Sequence, residues 1–184
     1  MQLIFDIETD GFLEDMTKCY VLVCQDAVTK KIYTYADQPG NLPIKHGLDL
    51  MSKADALIGH NIIGFDLMGL EKLYNWKPSE HTRLIDTWIM SQTLRFNRTH
   101  KHGLAGWGKH LGYSKIDNSE WAADGFKTYD PRMIEYCIND VKLNTKVYEV
   151  LLAELHKAVK DNELIKKGLR VEHDVAVFES MVRK

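Results

Sequence analysis

The strongest constraint on the fold stands at the start of the chain. Gln2-Leu3-Ile4-Phe5-Asp6-Ile7 is a short, nearly continuous apolar run, closed a few residues later by Asp10-Gly11. A run this short, ended by a turn dipeptide, reads as a buried strand rather than a helix. Its C-terminal end is acidic. Asp6 and Glu8 are two residues apart, and in a strand such residues share a face.

The rest of the chain must be arranged around that strand. Residues 18–25 and 31–36 are β-rich, with a hairpin turn expected near Thr29-Lys30. The pattern then predicts a helix over 47–54, a short buried strand over Ala56-Leu57-Ile58-Gly59 and a helix from Phe65 to Tyr74. A strand at Leu84-Ile85-Asp86 leads into another helix, and a small helix over 103–111 is closed by Gly112. Asp130-Pro131 is a strong helix start, an N-cap Asp with Pro at the first helical position. That helix is expected to run to about His156, with Met133, Ile134, Cys137, Val141, Val147, Val150 and Leu151 among its apolar positions. Three early strands followed by alternating helices and strands give a mixed sheet covered by helices, an α/β layer fold. The 184 residues suit one full domain.

Composition narrows the function classes. With 24 Lys and Arg against 26 Asp and Glu, the net charge is −2, so the domain is no general polyanion binder. A nucleic-acid role needs local basic patches, or metal ions that neutralise phosphate. Cys19, Cys24 and Cys137 are odd in number and lack Cys-x-x-Cys spacing. This argues against a disulfide framework or a zinc site and fits a reducing, cytoplasmic compartment. The first residues carry no signal-peptide pattern, and no apolar stretch is long enough for a membrane span.

Three short segments carry the candidate chemistry. Asp6-Ile7-Glu8 places two carboxylates side by side, which repel unless a cation such as Mg²⁺ sits between them. His60-Asn61-Ile62-Ile63-Gly64-Phe65-Asp66 follows a buried strand and puts Asp66 near a helix start. On the long helix, the i, i+4 spacing of Tyr136 and Asp140 stacks them on one face. Each segment alone is common: a solvated acid pair, a helix cap, a surface Asp beside a half-buried Tyr.

In this order and on these elements, the chain resembles the DEDD exonucleases. Asp6 and Glu8 match that family's first motif, Asp66 the second and Asp140 the third. One branch of the family has His five residues before the last Asp, where this chain has Glu135. The other has Tyr four residues before it, which is Tyr136 here. The chain therefore resembles the tyrosine branch, with its proofreading domains of phage-type family A DNA polymerases and its RNase D-like enzymes. Leu84-Ile85-Asp86-Thr87 and Leu104 to Gly112 resemble the intervening segments.

The resemblance implies a ribonuclease H-like, mixed five-stranded sheet flanked by helices. It also implies metal-dependent 3′→5′ hydrolysis of DNA at single-stranded 3′ ends, releasing nucleoside 5′-monophosphates. Two divalent ions, Mg²⁺ or Mn²⁺, would be held about 4 Å apart. Asp6 would bridge them, Glu8 and Asp140 would hold the ion that activates water, and Asp66 would hold the other. Tyr136 would orient the attacking water, since a phenol is a poor base at neutral pH. By the same resemblance Thr9 would contact the terminal nucleotide, Phe12 would wedge against the last bases, and Asn61 and Phe65 would line the pocket. An RNase D-like RNA exonuclease and an inactive docking module are the rival readings, with a ribonuclease H-type endonuclease a weaker one.

Two further segments are distinctive. Arg95-Phe96-Asn97-Arg98-Thr99-His100-Lys101-His102 is basic, and reads as a guide for single-stranded substrate or as a solvated loop. The four tryptophans, Trp76, Trp88, Trp107 and Trp121, read as core or interface residues. Residues 1–160 are expected to form the nuclease domain and 161–184 a helical tail, with Val171, Val175, Phe178 and Val182 on one stripe. Glu172-His173-Asp174-Val175-Ala176 resembles the segment that opens the polymerase part of phage-type family A enzymes. A polymerase domain or subunit, in cis or in trans, is therefore the expected partner. The compartment is then the cytoplasm, that of a host if the chain is of phage origin.

Overall fold

β1 (Gln2–Thr9) lies at the centre of the sheet, as its unbroken apolar run requires. In this computed structural model the described residues are all but His100, Ser114, 123–125 and 183–184, and Asp161 is described by its backbone alone. β2 (Cys19–Asp26) pairs antiparallel with β1, and β3 (Ile32–Tyr35) pairs antiparallel with β2. The turn between β2 and β3 places Lys30 at φ 61°, and Asp26 accepts the N–H groups of Val28 and Thr29.

On the other side of β1, β4 (Ala56–Gly59) pairs parallel with it, and β5 (Arg83–Asp86) pairs parallel with β4. The order is β3-β2-β1-β4-β5. The expected mixed five-stranded sheet is therefore present.

Helices cover both faces. α1 (Ile44–Met51) packs on β2 and β3, where Gly47 lies so close to Leu22 and Tyr35 that a Cβ there would stand 2.5 Å from the Leu22 side chain. It begins three residues before the predicted start, because Asp37 accepts the Ile44 N–H and Ile44 and Leu48 are drawn into the core. α2 (Asp66–Tyr74) brings Gly69 against Met16 and Ile7 on the same face.

α3 (Thr87–Leu94) follows β5, and α4 (Leu104–Leu111) ends at Gly112 in the left-handed conformation expected of a glycine cap. α5 (Arg132–Asp161) crosses the opposite face of the sheet, with Met133, Cys137, Val141, Leu143, Val147 and Leu151 buried beneath it. Asp130 accepts the Arg132 N–H and pairs with its guanidinium, which fixes the start of this helix beside Pro131.

α5 continues to Asp161, beyond the predicted end, and α6 (Glu163–Val182) turns back after an extended Asn162. α6 packs on α5, α3 and β5 through Leu169. Its other face leaves Val171, Val175, Phe178 and Val182 47–68% exposed. The sequence stripe is thus the outward face of a helix whose inward face is seated on the domain. Among the described residues no helix is long and apolar enough to cross a membrane.

Candidate active site

β1 runs on past the end of its parallel neighbour β4, whose last paired residue, Ile58, lies opposite Ile4, so Asp6 and Glu8 stand beyond the end of β4, beside a crevice at the carboxyl ends of the two strands. Gly59, the last residue of β4, allows the close approach: a Cβ there would lie 2.0 Å from the Ile62 side chain and 3.0 Å from the Phe5 carbonyl oxygen. The crevice is a cavity of about 400 Å³.

Four carboxylates reach it. Asp6 and Glu8 come from β1, Asp66 from the first residue of α2 and Asp140 from α5. Asp66 Oδ1 accepts the Ile7 N–H at 3.2 Å, tying the second segment to the first. α5 is fixed against β1 through Cys137, whose Sγ lies 3.4 Å from the Asp6 carbonyl oxygen and 3.7 Å from Asp6 Oδ2. The ligand atoms of Asp6, Glu8 and Cys137 all lie within 4.8 Å of one another.

This cluster is costly without cations. Burial raises the Asp6 carboxyl well above the usual range, and the charges of Asp66, Glu8 and Asp140 raise it further. Glu8 is raised well above its ordinary value by burial and by Asp140. Burial pushes Asp66 up to about 8 and also raises Asp140. Asp140 Oδ1 is buried and finds no hydrogen-bond partner among the described residues. An unpaired buried oxygen among clustered carboxylates fits a site for a hard cation.

One cation is built in. Lys115 Nζ lies 2.6 Å from Asp140 Oδ2 and 5.0 Å above the Tyr136 ring. Its charge opposes the upward shifts of Asp6, Glu8 and Asp140, and its own pKa is raised by Asp140 and Tyr136 against the effect of burial. Lys115→Met is expected to destabilise the protein by about 1–3 kcal/mol in EDTA, because it removes one partner of a largely buried pair. Urea unfolding at neutral pH checks this; an unchanged midpoint would mean that the acids do not depend on Lys115.

Tyr136 stands one turn before Asp140 on α5 and faces the cavity. Burial raises its hydroxyl above the usual phenol value, so it stays protonated at neutral pH and is available as a hydrogen-bond donor. Its ring is braced by Trp121 (5.7 Å between centroids) and Phe126 (5.9 Å). The segment carrying these rings is pinned by Tyr20, whose hydroxyl donates to the Lys127 carbonyl at 2.6 Å.

The other sequence candidates separate. Phe12, 82% exposed, and Asn61 and Phe65 all line the cavity. Thr9 does not; it is buried at the end of β1 and its hydroxyl donates to the Gly11 carbonyl. The basic segment, of which His100 lies outside the described residues, is partly spent on structure. Arg95 forms a forked pair with Glu154, and Arg98 stacks 3.7 Å from the centroid of the Trp107 ring. Trp107 is fully buried, as expected of a core residue, whereas Trp121 serves the site.

Sequence reasoning missed Lys115, Trp121 and Phe126, which stand in irregular chain without periodicity. It also missed the part played by Asp86. The signal for that was available: an acid directly after a short strand and before a helix is a capping pattern. Asp86 accepts the N–H groups of Trp88 and Ile89 at the start of α3, and those of Asn61 and Ile63 in the site loop.

No family model matches the chain. The DNA-directed DNA polymerase of Escherichia phage T7 is 22% identical over 189 residues, which span 84% of this chain and 27% of that one. The chain thus spans about a quarter of the length of its curated relative. Among solved structures, Brucella melitensis NrnC with bound Mg²⁺ superposes with a TM-score of 0.67 at 20% identity, covering 98% of this chain and 85% of that one. Escherichia coli RNase D, described as an exoribonuclease involved in structured RNA processing, gives 0.64 at 17% identity, covering 96% and 45%. The shared architecture is the ribonuclease H-like fold.

Proposed function

We propose that this chain, which has the fold and the ordered acidic motifs of the DEDD exonucleases, is a metal-dependent 3′→5′ exonuclease acting on DNA. The observation that carries the reading is the convergence of Asp6, Glu8, Asp66 and Asp140 on one cavity, with ionisation opposed by burial and Tyr136 alongside. The residues fit a pair of hard divalent ions such as Mg²⁺ or Mn²⁺: oxygen donors predominate, and a buried Asp140 oxygen lacks a partner among the described residues. Asp6 would serve both ions, Glu8 and Asp140 one of them, and Asp66 the other. Bound there, the ions supply Lewis-acid activation of water and neutralise the phosphate.

The chain's own residues do the positioning. Tyr136, protonated and held edge-on by Trp121, would direct its hydroxyl at the attacking water. Asn61 and Phe65 would form the wall against the terminal nucleotide. Phe12, almost fully exposed at the mouth, would stack on a base. Such stacking is worth roughly 1–3 kcal/mol and tolerates any base, as an enzyme removing successive nucleotides needs. Thr9, its side chain turned to Gly11, would act only through its backbone.

The sequence similarity to a DNA polymerase over most of this chain supports DNA as substrate and a proofreading role. It also supports a polymerase domain or subunit as partner, for which the outward stripe of α6 offers an apolar seat. RNA 3′-end trimming is a second reading, favoured by the likeness to RNase D over nearly the whole of this chain. A time course on end-labelled single-stranded DNA and RNA with Mg²⁺, Mn²⁺ or EDTA tests both. Mononucleotide release from DNA 3′ ends with either ion supports the first reading; faster release from RNA replaces it with the second; release in EDTA overturns the metal assignment.

Tyr136→Phe is expected to lower kcat by about 10²-fold while leaving KM within about twofold, since a bond to the attacking water counts in the transition state. Steady-state kinetics on a single-stranded oligonucleotide checks this. A rise in KM alone would make Tyr136 a substrate contact.

A further inference from the structure

β5 is one edge of the sheet, paired on one side only among the described residues. Edge strands leave backbone N–H groups without ladder partners. At the end of β5 the Asp86 N–H is taken by α6: it donates to His173 Nε2 at 2.9 Å. His173 Nδ1 in turn lies 2.8 Å from the Leu169 carbonyl. A backbone N–H only donates and a carbonyl only accepts, so the imidazole is neutral with its proton on Nδ1.

The Asp86 side chain works in the other direction. Oδ1 accepts the Asn61 N–H at 2.9 Å and Oδ2 the Ile63 N–H at 3.2 Å. Asn61 stands at φ 63°, a left-handed conformation that persists only where the surroundings fix it. A continuous chain of bonds therefore runs from α6 through His173 and Asp86 to the loop that carries Asn61 and Phe65 into the cavity.

We propose that His173 is a positioning residue: through Asp86, the seat of α6 on the edge strand sets the loop that receives the 3′-terminal nucleotide. This rests on the nuclease reading above. α6, though beyond every acidic motif, is then part of the substrate-binding apparatus, and whatever occupies its outer stripe acts on a helix that is bonded to the site.

The test uses the full chain with His173→Ala and His173→Gln. Gln carries an oxygen near the Nε2 position and restores an acceptor for the Asp86 N–H. The readouts are KM and kcat with Mg²⁺, and the dissociation constant of a fluorescein-labelled single-stranded oligodeoxynucleotide in Ca²⁺, read by anisotropy. His173→Ala is expected to raise both KM and the dissociation constant about three- to tenfold, the effect of one lost hydrogen bond. Its kcat should stay within about twofold, and His173→Gln should recover most of the affinity. Equal affinity in His173→Ala and the unaltered chain overturns the inference, whatever happens to the melting temperature. So does equal impairment of the two variants. Binding without cleavage by the unaltered chain overturns the nuclease reading and leaves the inference to be decided on the dissociation constants; absence of both overturns the two together.

Discussion

Asp6→Ala is expected to abolish hydrolysis, by at least about a thousandfold or ~4 kcal/mol of transition-state stabilisation, while the protein stays folded and becomes more stable in EDTA. Asp6 is the acid on which the other three press: Asp66, Glu8 and Asp140 each raise its pKa, on top of burial. Removing it relieves that repulsion and lets its neighbours ionise more easily. Asp140→Ala should be equally inactive but close to neutral in stability, because Lys115 loses its ion-pair partner as the repulsion falls. Single-turnover cleavage and thermal melts in EDTA measure both effects. Near-normal cleavage by Asp6→Ala would remove the metal assignment, and a melting temperature well below that of the unaltered chain would give Asp6 a structural role instead.

The second large effect is a dependence of stability on pH that divalent ions remove. The acids of the site have folded-state pKa values above their unfolded ones, Asp66 rising from 3.8 to about 8. Below the unfolded value such a group is protonated in both states and destabilises nothing. As pH rises, the unfolded chain releases the proton first, so the stability present in acid is lost progressively up to the folded value, at about 1.4 kcal/mol per pH unit for each proton.

His60 acts oppositely. Burial depresses it from 6.5 to about 3, so its contribution is present above the unfolded value and lost as pH falls. The difference between samples in EDTA and in Mg²⁺ isolates the acids, because His60 contributes to both. That difference should be small at pH 5 and widest near pH 8. Urea titrations across this range check it; a constant difference would mean that the ions do not bind at the raised carboxylates.

Much of this arrangement was legible in the sequence, for local reasons. β1 announced itself because a strand buried on both faces has to be nearly all apolar, and β4 for the same reason. The four acids were found through their order: Asp6 and Glu8 at the acidic end of an apolar run, Asp66 near a helix start, and Asp140 tied to Tyr136 by helical spacing, a sequence of segments that resembles the DEDD exonucleases. Lys115 was not legible. It is one of many lysines, and only the folded path of an irregular segment brings it to Asp140. Arg95 and Arg98 read as a substrate guide because charge is visible in a sequence, whereas the Glu154 and Trp107 that engage them are distant along the chain. The stripe on α6 was visible, but its inward seat was not. The contact that matters there is a single histidine meeting the backbone of an edge strand, and backbone groups leave no mark in a residue pattern.

The order of strands in the sheet also bears on how the chain assembles. β1, β2 and β3 are successive hairpin partners and need only local closure, which is fast. β4 must be brought parallel to β1 by a crossover from residue 35 to residue 56, and α5 must then close over the sheet from still further along. Loop-closure entropy makes these the later events. The nascent chain therefore acquires Asp6 and Glu8 early and in isolation, while Asp140 joins them only once most of the polypeptide has been made. On the function proposed above, hydrolytic competence would in this sense certify completed folding: a chain that stalls as an N-terminal β-sheet would hold half of the acids and could not cut.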